Sequence, residues 1–396
     1  MAEVSAKLRP RAVFHAVGSG SVAALALACV LLGRSTDVLP ADPSSAWKTE
    51  WEKTVDAAKK EGQISVYGSD TFESFLQGPF QKKYPEIKLT FVGGRAPVVG
   101  PKLITERRAG KYLADLVLTG PGTPYRILLK NKALDPIGPA FILPEVLDES
   151  KWWQGRHHYV DQENKYIFIY EATVQSGDLA YNTQLVKPTE LTSYWDLLAP
   201  KWRGKMVAMD PKVSGAVSRG IRFFYFEPAL GPKFIAKLFG ETDMTLARDF
   251  TQMLDWLGTG KFSLGVFAGG SETAQAAGHG LPIKEFSPSH FQEGAAVSPF
   301  NGTVSLINRA PHPNAAKLLI NWILSREGQI AVQQHLASEG NIRESLREDI
   351  PKDVIPPTHR REPKVKYLMI SRAADIDGEN DALKLASEAH AGARKK

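Results

Sequence analysis

The segment Trp47–Gly120 alternates between a helical and an extended hydrophobic period, and nothing else in the chain restricts the fold as much. In "WKTEWEKTVDAAKKEG", Trp51, Val55 and Ala58 fall at helical spacing, and "QISVYG" follows with strand alternation. "TFESFLQGPFQKKYP" places Phe72, Phe75, Leu76 and Phe80 on one side of a predicted helix, and "IKLTFVGG" predicts the next strand. "VVGPKLITERRAGKY" reads as another helix. "ADLVLTG" reads as a strand apolar on both faces, as in a sheet covered by helices. Strands separated by helices in this way imply a parallel sheet.

The chain turns irregular between Asp135 and Gln162, with prolines at 136, 139 and 144, before "YIFIYEATV" and "GDLAYNT" predict two antiparallel strands. The crossover between two lobes is expected there. "YWDLLAPKWRGKMVAMDP" predicts a helix, a turn and a strand, and Val217–Phe226 resumes a helix. "PKFIAKLFGE", "LARDFTQMLDWLGTG" and "FSLGVFAGG" continue a second αβ lobe. "AAVSPFNGTVSLINRAP" predicts a return strand, followed by the helices of "NAAKLLINWILSREGQIAVQQHL". With 396 residues, 43% of them hydrophobic, the chain can fill two cores. The expected division is a signal peptide and flexible start over 1–46, a first lobe over 47–165 plus 296–350, a second over 166–295, and a C-terminal extension over 351–396.

Lys7, Arg9 and Arg11 precede "AVFHAVGSGSVAALALACVLLG", whose densest apolar part, Val22–Leu32, is short for a membrane span. That is the pattern of a secretory signal, with small-residue cleavage sites at Ala26–Ala28 and Ser44–Ala46. Cys29 directly follows the first of these, where a lipid anchor would attach, but Ala26 stands where lipoprotein signals usually carry Leu. No other cysteine follows, so no intrachain disulfide is expected. The periplasm is the compartment this pattern implies. The formal charge of +6 divides into +1 before residue 47, +3 after residue 350 and +2 on the body between. No basic stripe interleaved with aromatics appears there, which argues against a nucleic-acid partner.

A catalytic reading needs a nucleophile with its base, a metal cluster or a phosphate loop. The sequence contains no G-x-x-x-x-G-K-[ST], H-E-x-x-H or G-x-S-x-G, and "GPGTPY" lacks the last glycine of a dinucleotide fingerprint. His157 and His158 are neighbours, so in an extended segment their rings point to opposite faces and share no ion easily; a polar surface pair is expected. Trp152 and Trp153 are expected to pack as a lid. The informative pattern is where small polar residues fall. "YGSD", "GGR" and "TGPGTPY" end the predicted strands of the first lobe, and "MDPKVSG" ends one of the second. In open α/β sheets ligands sit beyond the carboxyl ends of strands, often at helix N-termini. Such ends from two lobes describe a cleft. Asp210 or Ser214 could equally cap its own helix.

The segments "WEKTVDAAKKEGQISVYGSD", "GGRAPVVGPKLITERRAGKYLADLVLTG", "LAYNTQLVKPTEL", "YWDLLAPKWRGKMVAMDPKVSGA", "INRAPHPNAAKLLINWILSREGQIAV" and "ESLREDIP" together resemble the extracellular solute-binding proteins of the ferric-iron type, the periplasmic receptors of ABC importers. The resemblance implies a non-enzymatic, monomeric receptor of the type II periplasmic-binding-protein fold. Each of its two α/β lobes would be a mostly parallel sheet flanked by helices, joined by crossing strands that close on a ligand before docking on an inner-membrane permease. Iron-binding members resemble one another in an adjacent tyrosine pair after the strand matching "FSLGVF". This sequence reads "AGGSETAQAAG" there and has no adjacent tyrosines, which puts ferric iron as cargo in doubt. A small organic or phosphorylated anion fits Arg95, Ser214, Gly215 and Arg219 better, through guanidinium forks and helix-end N–H groups. Of Arg219 and Arg222, one is expected to point inward, and Arg219 is favoured. Ser69, Asp70, Gly94, Tyr125, Asp210, Gly270, Ser271 and Asn301 complete the expected ligand-binding set by their place at loop ends. The rival readings are a sensory binding protein that signals to a membrane kinase, and a secreted hydrolase using Ser69, Asp70 or His158.

Overall fold

The computed structural model describes residues 43–175, 179–212 and 216–394. The expected leader, with Cys29 and the earlier of the two expected cleavage sites, lies outside them. The first sheet grows out of the alternating segment. β1 (Gln63–Gly68) runs parallel to β2 (Lys88–Gly93) on one side and to β3 (Leu116–Thr119) on the other, aligning Ile64 with Leu89 and Val66 with Leu116. Strands from later in the chain extend this sheet antiparallel. β14 (Thr303–Ile307) pairs with β3, then β6 (Phe168–Ile169) and the edge strand β5 (His158–Tyr159) follow, and β4 (Leu134–Asp135) pairs with the end of β14.

Helices α1 (Pro43–Glu61), α2 (Ala96–Arg108), α7 (Pro313–Leu324) and α8 (Arg326–Ser338) belong to this lobe. The helix predicted over 71–85 is a helical run wound in several ways: a 3-10 turn, Asp70–Phe72, one α turn, Glu73–Phe75, a π turn, Leu76–Phe80, and Gln81–Lys83. Pro79 has no N–H to give to the α pattern, which accounts for the wider turn. The predicted apolar face survives the change of winding. Phe72, Phe75, Leu76 and Phe80 are all fully buried, and Phe75 stacks on Trp322 with ring centroids 5.5 Å apart.

The second sheet centres on β9 (Met206–Met209), with β10 (Thr245–Ala247) and β11 (Leu264–Val266) parallel on either side. β8 (Leu179–Asn182) and β12 (Ile283–Glu285) continue it antiparallel beyond β11. Its core is separate from the first and rich in phenylalanine: Phe223 and Phe224 from α3 (Ala216–Phe226), Phe234 and Phe239 from α4 (Gly231–Glu241), and Phe267 after β11. α5 (Phe250–Gly258) and α6 (Ser271–Gly278) complete the lobe. The helix predicted at "YWDLLAP" is a 3-10 turn, Tyr194–Leu198, capped by Ser193 and kept short by Pro200, which follows within a turn of its end.

A third sheet joins the lobes. β7 (Thr173–Gln175) leaves the first lobe and β13 (Ala295–Ser298) returns to it, paired antiparallel with Val174 opposite Val297. The predicted return strand is therefore two strands, β13 and β14, separated at Phe300, which takes a positive φ of 45°. Residues 344–346 brace the crossing: Ala172 N donates to Glu344 O at 2.9 Å and Leu346 N to Tyr170 O at 2.8 Å. The C-terminal segment adds β15 (Tyr367–Met369), parallel to β13, then α9 (Ala373–Asp377) and α10 (Glu379–Ala393). Its apolar residues divide between the cores. Met369 and Ile376 join the first, Ile370, Ala382 and Ala386 the second.

Candidate functional site

A cavity of about 300 Å³ lies where the two lobes and the crossing strands meet. The first lobe supplies Pro121 and Gly122, just after β3, and Arg126 from the π-helical turn Pro124–Leu129. The second supplies Ser218, Arg219 and Arg222 from α3. Ser298, Phe300 and Asn301 form the wall at the crossing, and Ser371, Ile376 and Glu379 come from the C-terminal segment. Gly120 makes this junction close: a Cβ there would stand 2.6 Å from Phe300 O, so only glycine lets the end of β3 meet the crossing turn.

The lining is strongly cationic. Arg126 Nη2 donates to Ile376 O and to Glu379 Oε2, both at 2.7 Å. Burial holds the Arg222 guanidinium below its ordinary range against the pull of Glu379 and Asp375, with Arg126 as a like charge nearby. The Arg219 guanidinium lies 5.3 Å from the centre of the Phe300 ring and that of Arg343 at 4.2 Å, a cation–π arrangement that fixes the ring. Asn301 Nδ2 donates to Ser69 Oγ at 3.1 Å, tying the turn to the end of β1.

Of the residues expected to bind ligand, Arg219 and Asn301 line this cavity, and Ser69 supports it through Asn301. Tyr125 stands beside it but gives its hydroxyl to Asp377 at 2.6 Å, which pushes the phenol up to about 12. Asp70 packs against Gly93, Gly94 donates its N–H to Gly68 O, and Arg95 is an exposed residue before α2. Asp210 accepts from Lys212 N, closing its own turn. Gly270 donates its N–H to Glu285, and Ser271 opens α6. Ser214 and Gly215 lie outside the described residues. Arg222 lines the cavity together with Arg219, since residues three apart share a helix face. Arg126 and Glu379 were not anticipated. Arg126 follows "TGPGTPY" directly and was within reach of the strand-end argument; nothing in the extension marked Glu379.

His157 and His158 are not a surface pair. His158 is buried, stacked on Trp153 at 5.1 Å and bonded through Nε2 to Trp153 O; burial pushes it down to about 4. Trp152 is core, edge-on to Phe168. A larger cavity of about 550 Å³ near His158 borders the edge strand β5 rather than the carboxyl ends of parallel strands. Among the described residues no three His, Cys, Asp or Glu side chains gather as metal ligands, and no helix is long and apolar enough to cross a membrane.

Two α/β lobes joined by crossing strands, with guanidinium groups facing one cavity from both, define a receptor for a small solute. The chain belongs to the bacterial extracellular solute-binding proteins, whose family model matches residues 65–330. It is a solute-binding protein of ABC transport rather than an enzyme. The fold is similar to that of a Bordetella ferric binding protein (16% identity, TM-score 0.59), covering 83% of this chain and 98% of that one. It is also similar to a Trichodesmium protein in complex with iron and citrate (18% identity, TM-score 0.57, 83% and 99% covered). A putative extracellular solute-binding protein from Bordetella parapertussis aligns comparably (16% identity, TM-score 0.57, 83% and 99% covered). No curated protein matches the sequence.

Proposed function

We propose that this protein captures a small anion, a carboxylate or phosphate compound, in the interlobe cavity and delivers it to an inner-membrane permease. The observation that carries the reading is the convergence of Arg126 from one lobe with Arg219 and Arg222 from the other on a single cavity. Only a closed arrangement brings both sets to one anion, so ligand and closure favour each other. The chain would pass between lobes at Tyr170–Gln175 and again at Ala295–Phe300. Export by the leader would place the receptor in the periplasm, either free or held by a lipid on Cys29.

Iron as cargo has the names of several structural neighbours in its favour. The donor set speaks against it, since the described lining carries one carboxylate, Glu379, and neither tyrosine nor histidine. Ferric iron asks for several hard anionic oxygens. Calorimetry of the purified protein with inorganic phosphate, citrate and ferric salt separates the two. The anions should bind, and Arg222→Ala should weaken them by about 1 to 3 kcal/mol, as for loss of a charged hydrogen-bond partner. Ferric binding unaffected by that substitution would replace this reading.

A further inference from the structure

We propose that Glu379 is a built-in competitor for the cavity, a carboxylate of the chain itself that occupies Arg126 until a ligand anion takes its place. The inference rests on the anion-binding reading above. Glu379 Oε2 stands 2.7 Å from Arg126 Nη2, and both side chains line the cavity beside Arg219 and Arg222. Of the other acids nearby, Asp375 is committed to its own helix end through Arg372 N at 2.9 Å, and Asp377 accepts from the Tyr125 hydroxyl. Glu379 is the carboxylate of the cluster that lines the cavity, and it holds the position an external carboxylate or phosphate would take on the same guanidinium.

The ion pair also spans the molecule. Glu379 begins α10, whose Ala382 and Ala386 pack into the second core, whereas Arg126 belongs to the first lobe. Alongside it, Tyr125 donates to Asp377, and Lys366 pairs with Glu227 of the second lobe. The C-terminal segment is thus a strap over both lobes, with one of its fastenings inside the ligand cavity. An anion that displaces Glu379 opens that fastening while it draws the arginines of both lobes to itself. Ligand occupancy is thereby transmitted to α10, which packs on α3 and α4 of the second lobe. The competition also sets selectivity, because a neutral solute gains nothing on Arg126 that Glu379 does not already supply.

Calorimetry of wild type and Glu379→Gln with inorganic phosphate and with citrate tests this. The variant should bind both anions about two- to fivefold more tightly, the scale set by a partly exposed ion pair. In hydrogen exchange, saturating citrate should speed exchange at the start of α10 in wild type more than in Glu379→Gln. Anions that bind wild type and Glu379→Gln equally, or bind the variant more weakly, overturn the competitor role while the anion reading stands. Failure of both proteins to bind either anion overturns the anion reading and this inference with it.

Discussion

Replacing Arg347 by methionine is expected to lower the unfolding free energy by about 3 kcal/mol, at the lower end of the range for removing one partner of a buried ion pair. The Arg347 side chain is fully buried in the segment that braces the crossing strands. Its Nε and Nη2 donate to the Asp349 carboxylate at 2.8 and 2.7 Å, and Nη1 donates to Glu145 O and Leu324 O, both at 3.1 Å. Methionine fills much of the volume yet leaves those carbonyls without a donor and Asp349 without its cation. Asp349 remains partly exposed, so water recovers some of the loss. Arg347 also holds the Asp349 carboxyl below its ordinary range. A depressed carboxyl contributes stability that is complete above its unfolded value near 3.8 and is lost as pH falls through the lower folded value. Denaturant unfolding should therefore show the deficit of Arg347→Met in full at pH 7 and shrinking as the pH falls below 3.8. A deficit that stays constant into acid would contradict the ion pair.

The parallel part of each sheet was legible because it is local. Trp51, Val55 and Ala58, or Phe72, Phe75, Leu76 and Phe80, announce their buried faces whatever the winding beneath them, so the π turn at Leu76–Phe80 changed nothing in the prediction that mattered. The return of β14 to the first lobe was legible as a strand, but its neighbour and register were not, since β14 reaches β3 from far along the chain and pairs Val304 with Leu118 by tertiary fit alone. The site divides in the same way. Arg219 and Asn301 were readable as loop-end residues at a predicted strand or helix terminus. Arg95 met the same criterion and is exposed away from the cavity lining, because a strand end fixes a neighbourhood and not a side-chain direction. Glu379 escaped altogether, for its place depends on how the C-terminal segment lies over two lobes. The sequence "ESLREDIP" carried resemblance without mechanism until Glu344, Leu346 and Arg347 were seen against Tyr170, Ala172 and Trp153.

Glu171→Gln is expected to flatten the pH dependence of stability between about pH 5 and 8 and to leave the variant the more stable protein above that range. Glu171 sits in the first crossing between β6 and β7, buried, with neither carboxyl oxygen hydrogen-bonded; the nearest cation is Arg343, its Nε 3.8 Å from Oε1. Burial pushes the carboxyl from 4.5 up to about 8, against the opposing pull of Arg343. Between those values the unfolded chain has released the proton and the folded chain keeps it. Folding therefore loses about 1.4 kcal/mol per pH unit through this group as pH rises, and the loss levels off above the folded value. Glutamine carries no such proton, so wild type and variant should match near pH 4 and diverge to pH 8; equal slopes by urea titration would exclude the assignment. The same group bears on the cavity. A Cβ on Gly302 would fall 1.6 Å from Glu171 Cγ, so the carboxyl is packed directly against the turn that carries Phe300 and Asn301. Arg343 faces both Glu171 and the Phe300 ring. Charging Glu171 should strengthen its pull on Arg343 at the expense of the ring contact, and by reciprocity a ligand that fixes Phe300 and Asn301 should then shift the Glu171 titration. Anion affinity in wild type should therefore change across pH 7 to 9 by an amount that Glu171→Gln abolishes.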